Sequence, residues 1–227
     1  MKKGLLFIIS GPAGSGKGTV VKELLRLHPE VKLSVSMTTR NPRPGEVHGV
    51  NYYYTTKKDF KRRIKNKEFL EHAAYNGNFY GTLISEVKGR LESGEDVILE
   101  IEVQGAMKVK AVFPEATFIM LTPPDAKILE SRLRGRGTEK EKDIIKRLKR
   151  AKEEILLLPN YDYSVINEDN AAEKCAELVY SIMQKEHFVA DYIDGRVQEL
   201  TEADAPHVVA AVSHSTKYTK SIIKKFR

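Results

Sequence analysis

Between Ser10 and Leu25 the chain reads SGPAGSGKGTVVKELL, and the run Gly11, Pro12, Ala13, Gly14, Ser15, Gly16, Lys17 has the spacing of a phosphate-binding loop. The chemistry needs those residue types in that order. Glycines let backbone N–H groups curl around phosphate oxygens, the helix that follows offers its positive N-terminus, and Lys17 brings a point charge to the outer phosphates. Gly18 stands where the general motif has Ser or Thr to touch magnesium, so Thr19 supplies the nearest candidate hydroxyl. A nucleotide is therefore expected, but the loop does not say where its phosphate goes. Arginines concentrate at Arg40 to Arg43 and again from Arg132 to Arg150, beside loop residues, which suits further anionic groups. In VILEIEVQG an apolar run ends in Glu100 and Glu102, which alternate with Ile101 and are expected to share one strand face. Acids at the carboxyl end of a parallel strand beside such a loop are expected near magnesium and substrate.

These residues need a scaffold, and the apolar runs outline one. Candidate strands at 5–10, 32–36, 97–101, 116–121 and 163–167 alternate with helical patterns, which predicts an α/β fold: a parallel sheet core with helices on both faces. Lys17 to His28 and Asp143 to Leu158 repeat their apolar residues at helical spacing, and Pro29 and Pro159 are expected to end those helices. From about Ser36 to Ser93 the rhythm breaks. The segment opens with RNPRPGEVHG, continues through NYYYTT, and holds Asn76-Gly77 between two apolar or aromatic runs, a type I′ hairpin signal. A small, partly antiparallel insertion is expected there, with Tyr53 and Tyr54 as packing residues. After Thr201 the chain changes to a Pro-marked stretch with five cationic residues in its last eleven, read as an appended basic tail.

Composition excludes several classes. At 227 residues, 41% hydrophobic and 30% charged, the chain can bury a core and reads as soluble and globular. No apolar run reaches a membrane span, and MKKGLLFIIS reads as a first strand, so no membrane partner is expected. One cysteine, Cys175, forms no internal disulfide framework, and the six histidines lack paired ligand spacing, which suggests a reducing, cytoplasmic location and no structural zinc. Net charge +7 attracts polyanions in general, yet no aromatic-interleaved RNA-binding signature is visible, and no nucleic-acid partner is expected. The base-reading NKxD and the DxxG loop of switch GTPases are not found either. Nothing in the sequence assigns an oligomeric state.

With SMTTRNPRPGEVHGVNYYY, EFLEHAAYNGNFYGT, ILEIEVQG and RLRGRGTE following GPAGSGKGT in this order, the chain resembles the guanylate kinase family over about Leu5 to Glu186. The resemblance implies a P-loop core (1–35, 94–131, 148–199), a small mixed GMP-binding insertion (36–93), and a mobile lid (132–147), with 200–227 as tail. It also implies transfer of the γ-phosphate of Mg-ATP to GMP, and to dGMP, giving ADP and GDP. On this likeness ATP lies on the loop from Gly11 to Thr19 with Asn167 beside its adenine. Arg40 and Arg43 clamp the GMP phosphate with the hydroxyls of Tyr52 and Tyr80. Glu71 accepts the guanine N1–H and N2–H2 donors, with Ser36, Thr82 and Glu102 beside the base. Glu100 and Thr19 are the candidates near Mg2+, and Arg132, Arg136 and Arg147 reach the transferring phosphate. The family more often writes aspartate at 100 and 102, so each carboxylate here is one methylene longer.

Three other functions fit parts of this pattern. A sister kinase for AMP or UMP is opposed by Glu71, because adenine presents an acceptor at N1. A binding module that has lost catalysis is opposed by the intact loop and its arginines. A nucleic-acid binder rests only on net charge.

Overall fold

The chain was analysed as a computed structural model, which describes residues 3–75, 77–135 and 141–193. Its first strand, β1 (Leu6–Ser10), is buried at every position, as expected for a strand covered on both faces. Fully burying Phe7, Ile8 and Ile9 contributes about 1.5–3 kcal/mol each. Helix α1 (Lys17–Leu27) follows the loop and buries Val20, Val21 and Leu24 on one face. Then come β2 (Lys32–Leu33), β3 (Met37–Thr38), β4 (Tyr53–Tyr54), α2 (Lys57–Lys65), β5 (Phe69–Tyr75), β6 (Asn78–Leu83) and α3 (Ile84–Glu92). The remainder is β7 (Val97–Glu100), α4 (Val103–Val112), β8 (Thr117–Thr122), α5 (Ala126–Arg134), α6 (Glu141–Ile155), a 3-10 turn (Leu158–Asn160), β9 (Tyr163–Ile166) and α7 (Ala172–Ile193).

Two sheets result. The first has strand order β2-β7-β1-β8-β9, and its registered pairs β2–β7, β1–β8 and β8–β9 are all parallel. The second has order β4-β3-β6-β5, with β3–β6 and β5–β6 antiparallel. By compactness the described residues of Met1–Leu6, Glu30–Leu99 and Gln104–Ala116 form one unit, and those of Phe7–Pro29, Glu100–Val103 and Thr117–Arg227 a second.

Several expected boundaries moved for physical reasons. The strand expected over 32–36 pairs only at Lys32–Leu33; Ser34 N still donates to Ile98 O, but two residues on, Ser36 O accepts from Tyr53 N, and the chain has changed sheets. The strand expected over 97–101 stops at Glu100 because α4 begins at Val103, so Glu102 lies outside it. Pro159 sits in the 3-10 turn, and α6 ends earlier, at Ile155. Tyr75 pairs with Asn78 across the expected hairpin, whose Gly77 has φ +73°. Asn76 lies outside the described residues.

Local chemistry fixes the helix starts. Thr56 caps α2 by accepting from Asp59 N, and Asp125 caps α5 by accepting from Ile128 N; such caps stabilise by about 1 kcal/mol. In the first unit Met37, Phe60 and Leu83 form a small core, against which Tyr53, Ile64, Phe69 and Phe79 pack. Phe60 stacks on Phe69 at 4.4 Å and on Phe79 at 5.5 Å between ring centroids.

Candidate active site

The second unit holds the phosphate loop. Gly16 caps α1 with φ +86°, a left-handed conformation, and a Cβ there would come within 2.3 Å of Asn167 Nδ2. Only glycine meets both demands. Asn167, at the end of β9, is buried and donates from Nδ2 to Ser15 O at 2.8 Å, so the loop's shape is fixed by protein contacts. Just before the loop, the buried Tyr161 hydroxyl donates to Ser10 Oγ at 3.0 Å. Lys17 is the first residue of α1; its Nζ donates to Gly11 O at 2.6 Å and lies 3.6 Å from Glu102 Oε1.

Polar atoms converge on this loop. Ser15 Oγ, Asn167 Oδ1 and Arg132 Nη1 are buried and have no protein hydrogen-bond partner, the condition that a polar ligand relieves. Arg132, on α5, is held from its other edge: Nε and Nη2 donate to Asp169 Oδ1 at 3.0 and 2.7 Å, and Nη2 also donates to Asn167 O at 2.8 Å. Arg147 is half-buried on α6. Arg136 lies outside the described residues.

Glu100 closes β7 beside the same loop, its Oε1 3.5 Å from where a Cβ on Gly18 would stand, an ordinary contact distance. Glu100 is exposed, yet the protein around it strips enough water that desolvation, the largest influence, raises its carboxyl above the usual range; Lys17 opposes this and Glu102 adds to it. Among the described residues no three acids or histidines gather as a metal cage. The Glu100 carboxylate beside Gly18 and the exposed Thr19 next along the chain are oxygen donors of the kind that fit Mg2+, which keeps waters and takes one or two protein ligands beside phosphate oxygens. Glu102, expected beside the base, lies 3.6 Å from Lys17 Nζ through its Oε1.

The first unit brings together side chains from separate stretches of chain. Arg40 follows β3, where its backbone N donates to the buried Thr38 hydroxyl at 3.2 Å. Its guanidinium lies over the Tyr52 ring at 5.4 Å and the Tyr54 ring at 6.0 Å, with Tyr80 beside it. Tyr52 and Tyr80 meet edge to face at 6.1 Å. Arg43 is exposed one turn further on. Tyr54, expected only to pack, donates its hydroxyl to Glu46 at 2.8 Å, while Tyr53 donates to Glu86 at 3.0 Å.

Glu71 on β5 is buried, and the opposing Thr82 hydroxyl on β6 donates to its Oε1 at 3.1 Å. Desolvation pushes its carboxyl above the usual range, opposed by the Thr82 hydrogen bond and by Lys108. The placement depends on a β-bulge. Phe69 pairs with Leu83 and Glu71 with Thr82, so Leu70 is the extra residue, and the two consecutive side chains Leu70 and Glu71 are both buried. Gly81 admits this close approach, because a Cβ there would meet Glu71 O at 2.8 Å. Ser36, just before β3, is half-buried.

Sequence reasoning left Glu46 and Asp169 without roles, although each grips an arginine. A signal for Glu46 existed in the Pro-Gly turn that follows the basic pair, since Glu46 N bonds back to Arg43 O at 3.0 Å.

A glycine loop between the first strand and helix of a parallel sheet, with buried polar atoms turned toward it, defines a P-loop α/β nucleotide-binding protein. The family model described as guanylate kinase matches residues 3–186. Guanylate kinases of Streptococcus pyogenes serotypes M3 and M18 are each 48% identical over 201 residues, covering 88% of this chain and 94% of theirs. The crystal structure of guanylate kinase from Anaplasma phagocytophilum is 30% identical with a TM-score of 0.62, covering 82% of this chain and 87% of that one. The chain belongs to the guanylate kinase family.

Proposed function

We propose that this chain transfers the γ-phosphate of Mg-ATP to GMP, and to dGMP, forming ADP and GDP. One observation carries the choice of acceptor: a buried carboxylate, Glu71, placed against Thr82 in the same unit as the arginine and tyrosine cluster. Guanine presents two adjacent donors, which a carboxylate accepts together, whereas adenine would leave the buried acid facing an acceptor. A site built around such polar pairing can reject the wrong base by several orders of magnitude.

Phosphoryl transfer needs fixed geometry and positive charge more than it needs covalent help from the protein. The acceptor phosphate, with a second pKa of about 6, is mostly dianionic at neutral pH, so no general base is required. Arg40 and Arg43, with the Tyr52 and Tyr80 hydroxyls, hold that phosphate. The loop from Gly11 to Thr19 holds the triphosphate through backbone N–H groups, and Lys17 leaves Gly11 O and Glu102 to meet its outer oxygens. Glu100 and Thr19 would hold Mg2+, and the ion would supply charge neutralisation to the transferring phosphate. Arg132, Arg147 and Arg136 complete the charge around the moving group, with 132–147 as the lid and 36–93 as the acceptor insertion. No described helix is long and apolar enough to cross a membrane, and the proposed place of work is the cytoplasm.

A coupled assay of ADP formation with GMP, dGMP, AMP, CMP and UMP tests the reading. GMP is expected to exceed AMP by at least a hundredfold in kcat/KM; equal rates with both would overturn it.

A further inference from the structure

Glu46 has no role in the reaction as described, yet it is the centre of the arginine cluster. Its Oε1 accepts from Arg40 Nη2 at 2.9 Å, and its Oε2 accepts from Arg40 Nη1 at 2.9 Å, Arg43 backbone N at 2.7 Å and the Tyr54 hydroxyl at 2.8 Å. Hydrogen bonds from Arg40, then from the Arg43 amide, lower its pKa to about 2, so it is anionic throughout the working range. Both partners are largely covered, with 17% and 19% of the two side chains exposed.

A guanidinium carries five N–H donors in a fixed fork. Glu46 takes one from each terminal nitrogen, end-on, and Nη1 gives its other hydrogen to Asn41 O at 2.7 Å. What remains is the Nε–H and the outer Nη2–H, two parallel donors along one side, which is a bidentate edge of the kind that phosphate oxygens accept. We propose that Glu46 is the positioning residue of the phosphate clamp, locking Arg40 end-on so that its Nε–Nη2 edge is presented to the acceptor's phosphate. The proposal rests on the reading that this cluster receives GMP. It also makes a prediction opposite in sign to that of charge alone. Glu46 cancels the Arg40 charge, so if potential decided affinity, removing the acid would tighten phosphate binding; if orientation decides, removal weakens it.

The test uses the full chain with Glu46→Gln and Glu46→Asp, measuring kcat, KM for GMP and for ATP, and calorimetric binding of GMP and of guanosine, which has the base but no phosphate. For Glu46→Gln, GMP binding and KM are expected to worsen on the order of tenfold or more, with guanosine affinity and KM for ATP unchanged. Glu46→Asp keeps the charge but is too short to span both nitrogens, so a smaller loss of the same kind is expected, and it serves if the Gln variant does not fold. GMP bound as well or better by the Gln variant would overturn the proposal, as would equal losses for GMP and guanosine, which would mean that the pocket had collapsed. If the unsubstituted protein neither binds nor phosphorylates GMP, the functional reading falls and takes this role with it; if it does both and the variants match it, only the role of Glu46 falls.

Discussion

In the second unit the phosphate loop is made by consecutive residues, Gly11 to Lys17, whereas in the first unit Arg40, Tyr52, Glu71 and Tyr80 come from scattered stretches of chain. On the proposed reading the loop works through backbone N–H groups and one lysine, and its geometry follows from glycine conformations and from the Asn167 tether to Ser15 O. The proposed acceptor site works through side chains, and each is held by another: Arg40 by Glu46, Glu71 by Thr82 and by the bulge at Leu70. A backbone site is robust to most side-chain changes but not to changes at glycine. A side-chain site can recognise a base, at the cost of depending on every residue that orients its members.

That contrast breaks most sharply at Lys17. Lys17→Ala is expected to lower kcat by roughly a hundred- to a thousandfold while leaving calorimetric GMP affinity within twofold; a comparable loss of GMP affinity would show that the two sites are not separable in this way. At Glu71, Glu71→Gln is expected to erode the GMP-over-AMP preference on the order of a hundredfold, read as the ratio of kcat/KM values, with KM for ATP unchanged. The same residue gives a pH signature. Desolvation raises the Glu71 pKa above the ordinary carboxyl value, so on acidification the protonated form, which cannot accept both guanine donors, takes over earlier than for an exposed acid. The kcat/KM for GMP should therefore fall with decreasing pH through two steps, one from Glu71 at a point above that expected of a free glutamate and one from the acceptor phosphate at about 6, and only the second should remain in Glu71→Gln. In the small core of the first unit, Phe60→Ala is expected to destabilise by about 3–5 kcal/mol in denaturant unfolding. The smallest effect is at Cys175, which is buried and whose thiol burial pushes up to about 12, so native protein should resist alkylation that denatured protein undergoes.

How much the sequence disclosed follows the same divide. The loop was legible because its spacing, its strand and its helix are contiguous, and the continuous apolar runs of β1 and β8 announce a doubly covered parallel sheet. The reach of the loop's contacts was not legible: Asn167 lies far along the chain from Ser15, yet its Nδ2 donates to the loop itself. The strand face expected to hold both Glu100 and Glu102 ends at Glu100, because alternation stops at the end of β7, where the turn into α4 carries Glu102 to Lys17. For Glu46 the Pro-Gly turn was the one local hint, and only the fold of that turn shows its two oxygens against Arg40. Glu71 was singled out through its neighbouring motif; its burial arises from cross-strand pairing that no local pattern encodes.

The single surplus residue at Leu70 sets which way Glu71 points. Were the two strands paired evenly onward from Phe69 with Leu70 kept, Leu70 would stand opposite Thr82 and Glu71 opposite Gly81, toward the other face of the hairpin. A chain paired in that way could keep its helices and its nucleotide loop and yet, on the proposed reading, be blind to the identity of its second substrate.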